Sequence, residues 1–171
     1  MGNRDRWFKL QPYLIGLLTA KGVPFLWEGQ EICQTYFVPD DGGGPRARPG
    51  VFRPVDWSNF YDPIGKTLIT LVRKLTSIRN GGAQFRSDNH FFFDTPFYNN
   101  AGLLVFSRSI GAVFSMVALN FTDGDVNTTI TLPTAGNYRE EIDGTQNLLA
   151  VPAGAPIGVR IPSNYGQIWT H

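Results

Sequence analysis

Ala20-Lys21-Gly22-Val23-Pro24-Phe25-Leu26-Trp27-Glu28-Gly29-Gln30-Glu31 carries more of the fold than any other stretch of this chain. Gly22 and Pro24 punctuate it, a short apolar run ends at Trp27, and Glu28 and Glu31 follow, separated by Gly29 and Gln30. Proline is tolerated at the first residue of a strand, so Pro24 opens a strand rather than forbidding one. Upstream, Leu10, Leu14, Leu17 and Leu18 share one helical face, which predicts a helix from about Leu10 to Thr19 that starts or kinks at Pro12. Downstream, Ile64, Leu68, Leu71, Val72, Leu75 and Ile78 form an apolar stripe, with Lys66, Arg73 and Lys74 facing water. That spacing predicts a second helix from Pro63 to Arg79, capped by Asp62 and stopped by Gly81-Gly82. Helix, buried strand, helix is the rhythm of an α/β barrel or a doubly wound sheet, where sites lie beyond the C-terminal end of the strand. Here that end carries Trp27, Glu28, Gln30 and Glu31, which are the aromatic, carboxylate and amide groups a carbohydrate site uses.

The same residues carry a resemblance. Gly22-Val23-Pro24-Phe25-Leu26-Trp27-Glu28-Gly29-Gln30-Glu31 resembles the eighth barrel strand of the α-amylase superfamily, glycoside hydrolase family thirteen. Arg53-Pro54-Val55-Asp56-Trp57, the helix ending Ser77-Ile78-Arg79, and the β-rich tail continue the likeness in order. The resemblance implies an α+β chain: the C-terminal end of a (β/α)8 barrel followed by an antiparallel β-sandwich. It also implies activity on α-glucans, starch-type polysaccharides or maltooligosaccharides, with Trp27, Gln30, Tyr36, Arg53, Asp56 and Trp57 as sugar-binding candidates. Retaining glycosidases need two carboxyl groups about 5–5.5 Å apart. In the resembled family the reactive carboxylates follow the fourth, fifth and seventh strands, which would all lie before Met1. None of that triad is expected in this chain, and Asp5, with no histidine before it, does not take a family role. Glu28 and Glu31 are the only carboxylates placed to substitute, either as an improvised pair or within an assembled oligomeric site. Otherwise Glu31 is a buried anchor taking backbone N–H groups and Glu28 a solvated rim residue.

After Gly82 the pattern changes from helical period to short β-rich runs: Phe91–Phe93, Leu103–Arg108, Val113–Asn120, Thr128–Leu132, Tyr138–Asp143, Gly158–Ile161 and Gln167–Thr170. Runs at this spacing predict a small antiparallel sandwich, so the expected division is a barrel segment over 1–82 and a sandwich over 83–171. Between strand and second helix, residues 33 to 62 form a long connection, and connections of that length are usually functional or mobile.

With 171 residues the chain can bury a sizeable core. A net charge of +1 argues against nucleic acid or an anionic membrane as partner. One cysteine, Cys33, excludes an intramolecular disulfide. His90 and His171 stand in no ligand cluster, so no metal and no cofactor are expected. No apolar run approaches about 18 residues, and Asn3-Arg4-Asp5-Arg6 leads into helix rather than a signal-peptide core. The expectation is therefore a soluble chain, cytoplasmic as written, though a secreted parent enzyme stays open. An apolar strand lacking its barrel neighbours leaves two unpaired edges, which predicts a homodimer built across the 1–82 segment.

Overall fold

The structure is a computed structural model that describes residues 4–34, 38–39, 45–46 and 55–171. Helix α1 spans Gln11–Thr19 with Pro12 in its first turn, after a kinked 3-10 segment over Arg4–Leu10. Two short strands, β1 (Val38–Pro39) and β2 (Pro45–Arg46), pair antiparallel. A single turn, α2 (Ser58–Tyr61), precedes the long helix α3 (Pro63–Gly81). Asp62 caps α3 by accepting from the Gly65 amide at 2.7 Å, and Pro63 takes the first helical position. The far end departs from expectation. Gly82 does not adopt the left-handed conformation of a glycine stop, but is extended at φ −99°. A Cβ there would stand 2.8 Å from Phe85 Cδ2, so glycine serves the close approach of the following 3-10 turn, Ala83–Arg86.

Strands β3 (His90–Phe92), β4 (Leu103–Ile110), β5 (Val113–Asn120), β6 (Val126–Thr131), β7 (Gly136–Glu140), β8 (Leu148–Val151), β9 (Pro156–Ile161) and β10 (Tyr165–Thr170) follow, with a helical turn α4 (Pro96–Asn99) between β3 and β4. Six of them form one sheet in the order β3-β4-β5-β10-β7-β8, and β6 pairs with β9 separately. Every pairing is antiparallel. The last strand of the chain thus sits in the middle of the large sheet.

Alternate side chains of this sheet enter two different cores. Phe106, Val117, Leu119 and Ile168 face the helices and join Leu14, Ile15, Leu18, Leu68, Leu71, Leu75 and Phe85. Val105, Met116, Ala118 and Trp169 face the other way and join Ile130, Val159 and Ile161 of the β6–β9 pair. A strand buried on both faces reads as a continuous apolar run, which is why Val117-Ala118-Leu119 shows no alternation. The helical segment and the sheet therefore share one apolar core. Two glycines allow the contact: a Cβ on Gly16 of α1 would stand 3.0 Å from Leu119 Cδ1, and one on Gly166 of β10 2.6 Å from Leu119 Cδ2.

The run Val23–Trp27 has no regular secondary structure and is not part of any sheet. The buried barrel strand expected there is not formed. Val23 is 95% exposed, Phe25 72% and Trp27 58%, while Pro24 and Leu26 between them are half-buried. Leu26 packs against the core that joins helices and sheet. The alternation is that of a strand with one face seated and nothing beside it. The physical reason is that a strand needs ladder partners, and none of the described strands lies alongside.

Candidate functional site

The end of the Val23–Trp27 run is shaped by its own backbone. Gly29 has φ 82°, a conformation that costs glycine nothing. Its carbonyl accepts from the amides of Ile32 at 3.2 Å and Gln34 at 2.9 Å, closing a 3-10 turn over Gln30–Ile32. Gln30 Oε1 accepts from the Trp27 amide at 2.7 Å, so this side chain holds the turn and leaves only its NH2 donors for a ligand. Ile32 and Cys33 are buried beneath. Burial pushes the Cys33 thiol up, against the pull of Arg4.

Arg4 ties this turn to the second helix. Its Nε donates to the Cys33 carbonyl at 3.1 Å, its Nη2 to Ile32 at 3.3 Å, and its Nη1 pairs with Asp62. The hydrogen bond from Arg4 holds the Asp62 carboxyl below the usual carboxylate range. Gln34 Oε1 accepts from the Asp56 amide at 3.0 Å, which brings the 55–58 segment to the same turn. Asp56 in turn accepts from the Ser58 hydroxyl at 2.6 Å and amide at 3.0 Å, and those bonds hold its carboxyl low. Trp57 is 65% exposed.

The structure thus brings Trp27, Gln30, Asp56 and Trp57 onto segments joined through one turn. Tyr36 and Arg53 lie outside the described residues. Glu28 is exposed and Glu31 half-buried. Glu31 is therefore not the fully buried residue expected of an anchor. Exposed indole faces beside a carboxylate and amides can bind a sugar, by stacking and by hydrogen bonds to hydroxyls. Among the described residues no three His, Cys, Asp or Glu side chains gather into a metal-holding group, and no helix is long and apolar enough to cross a membrane.

The carboxylate that the fold invests in most lies elsewhere, and sequence reading passed over it as part of a strand. Glu140, at the end of β7, is buried and accepts from four backbone amides: Ile142 at 3.1 Å and Ile168 at 3.3 Å on one oxygen, Asp143 at 2.8 Å and Gly144 at 2.9 Å on the other. Burial pushes its carboxyl up, while the amides pull back toward the ionised form. Asp143, despite burial, is held low by the Thr145 hydroxyl and amide. Burial, with Asp143 and Glu140 near, pushes the Tyr165 phenol up to about 12. A cleft of about 750 Å3 opens here between the end of α3 and the β7–β8 loop, lined among others by Lys74, Gln84, Glu140, Asp143 and Asn147. The only sequence signal was the Asp143-Gly144 turn. With both oxygens held by amides, Glu140 is a structural clasp joining β7, β10 and the β7–β8 loop.

No protein-family model and no curated protein matches the chain. Solved structures do. The chain is similar to an Anoxybacillus α-amylase at 18% identity, covering 95% of this chain and 31% of that one with a TM-score of 0.67. It is similar to the α-amylase of Geobacillus thermoleovorans, solved with acarbose, at 17% identity, covering 99% and 34% with a TM-score of 0.66. A pullulanase from Anoxybacillus sp. LM18-11, solved with maltotriose, gives 14% identity, 100% and 24% coverage, and a TM-score of 0.69. At these identities the likeness is one of fold. The chain spans about a third of each amylase and a quarter of the pullulanase, helices and sheet together. A portion of such enzymes, rather than a whole one, is what the Gly22–Glu31 motif resembles.

Proposed function

We propose that these residues form the C-terminal part of an α-amylase-like hydrolase of α-glucans. In this reading Val23–Trp27 is the last strand of the barrel, α1 and α3 are its flanking helices, and β3 to β10 are the C-terminal sandwich. The observation that carries the reading is the likeness of nearly the whole chain to a portion of amylases and a pullulanase. Acarbose and maltotriose in two of those structures point to the α-glucan class. The reactive carboxylates then belong to elements other than these, and Glu28 and Glu31 do not act as a retaining pair. By itself the chain binds glucan at most, through Trp27, Gln30, Tyr36, Arg53, Asp56 and Trp57. A starch-hydrolysis assay on highly purified chain, run beside a Glu28→Gln/Glu31→Gln double variant, tests this. The expected result is no turnover by either; turnover that disappears in the double variant overturns the reading.

The open run also supports association of the chain with a second copy. Among the described residues the amides and carbonyls of Val23 and Phe25 make no backbone hydrogen bond. Alternate residues of an extended chain bond to opposite sides, so Pro24, which lacks an N–H, weakens one edge and leaves the Val23–Phe25 edge competent. Antiparallel pairing of two such edges, with Phe25 near the two-fold axis, covers the exposed aromatics of both copies and gives a closed dimer. Light scattering at micromolar concentration is expected to return twice the 19.0 kDa chain mass; a monomer mass rules the dimer out.

A further inference from the structure

At the β3 edge of the large sheet a buried guanidinium has no ion-pair partner among the described residues. Arg108, on β4, is 1% exposed. Its Nε donates to the Gln84 carbonyl at 3.3 Å, and its Nη2 to Gln84 at 3.1 Å and Ser87 at 2.7 Å. The remaining nitrogen, Nη1, is buried and has no partner, and the same is true of Nε2 of His90. These two residues stand directly opposite each other in the β3–β4 register, so their side chains leave the same face. The imidazole is fixed there against Phe92 and Phe106, with ring centroids 4.3 and 5.0 Å away.

The charged groups around this point are mostly cationic and mostly committed. From α3, the Arg79 guanidinium donates to the carbonyls of Leu18 at 2.9 Å and Ala20 at 3.1 Å, and also to Gly22. From the following turn, Arg86 donates to the carbonyls of Arg79 and Asn80. From the loops, Lys21 pairs with Asp88 at 3.2 Å, and the Asp88 side chain is 96% exposed. Among the described residues no carboxylate forms an ion pair with Arg108; burial and then Arg79 lower its pKa, and the exposed Asp88 carboxylate opposes them only from beyond ion-pair reach. Burial, then Arg108 and Lys21, hold the His90 imidazole below its ordinary pKa, so at neutral pH it adds a donor but no charge. A desolvated charge is normally paired, and an unpartnered buried donor in a native protein points to a bound water or ion.

We propose that a single monovalent anion of halide size binds between Nη1 of Arg108 and Nε2 of His90. Both N–H groups of Nη1, and Nε2–H in the matching tautomer, donate to it, and its charge neutralises the guanidinium inside the helix–sheet core. A water molecule would satisfy the same donors without supplying the charge, so dependence on the anion separates the two. The experiment is a thermal melt of the chain at pH 7, with sodium gluconate replaced stepwise by sodium chloride or bromide at fixed ionic strength. The expected result is a midpoint that rises by about 3–6 °C for each tenfold increase in halide above its dissociation constant. The rise should vanish in His90→Phe, whose ring keeps the aromatic packing while removing one donor. Because Arg108 variants can fail to fold, the second measurement uses the unaltered chain: a crystal grown in bromide, with data collected at the bromine edge. An anomalous peak between Arg108 and His90 supports the proposal. A flat melting series, an unchanged response in His90→Phe, or no anomalous peak at that position overturns it.

Discussion

β5 and the Val23–Trp27 run make the same demand and meet different supplies. Both are apolar and bounded by turn residues, β5 over eight residues and the earlier run over five. β5 lies between β4 and β10, and Val117, Ala118 and Leu119 are buried on its two faces. The earlier run has no strand on either side among the described residues, and every second side chain is in water. Apolar composition states that a segment should be paired and covered. Whether it is depends on other segments, and in this molecule only the sheet provides them.

The largest test of that contrast is Glu140→Ala, at the clasp joining β7 to β10, the strand on which β5 rests. It strands four amide donors, two of them buried, and at about 1–3 kcal/mol for each buried one the expected loss is about 2–6 kcal/mol. Glu140→Gln keeps one acceptor oxygen and should lose less. Urea unfolding of both variants measures this, and a loss under about 1 kcal/mol for the alanine variant would show that the clasp does not hold the sheet. Next is Leu119→Ala, at the point where α1 meets the sheet. A buried leucine without room to collapse should cost about 2–5 kcal/mol by the same measurement.

A smaller effect is expected at the α3 cap. Asp62→Ala should cost about 1 kcal/mol at pH 7 through the lost Gly65 amide bond. The Asp62 carboxyl is lowered in the fold, so its contribution is complete above the unfolded value of about 3.9 and disappears as pH falls through the lower folded value. The gap between variant and parent should therefore narrow in acid; a constant gap would show that the carboxylate charge is not involved. Smallest is Phe25→Ser in the open run, expected within about 0.5 kcal/mol for the monomer. A loss as large as that of Leu119→Ala would place Phe25 in a paired, covered strand and erase the contrast.

Much of the sheet was legible because short β-rich runs and turn residues coincide with β3 to β7, β9 and β10, to within a few residues. β8 was missed: it is four residues long, carries Ala150 at φ 51° and exposes Leu149, so it offers neither length nor alternation. α4 hid for the same reason, being one turn behind a Thr95 cap. The helices were legible through Asp62-Pro63 and their leucine stripes. At the candidate site, Trp27 and Trp57 could be seen as surface aromatics only once the missing ladder was visible. Glu140 could not be found by pattern at all, because four backbone amides converge on it from β10 and the loop after β7, and backbone donors leave no mark in sequence.

The comparison rests on whether Val23–Trp27 is unpaired, and amide hydrogen exchange reads that residue by residue. In a fraction shown by light scattering to be monomeric, the amides of Val23, Phe25 and Leu26 should exchange at nearly the rate of an unfolded peptide, while those of Val117, Ala118 and Leu119 exchange only on global opening. Protection of Val23 and Phe25 should appear only when a second strand is supplied, as concentration rises toward the dimer. Protection of those two amides in the monomer, comparable to that of β5, would contradict the account.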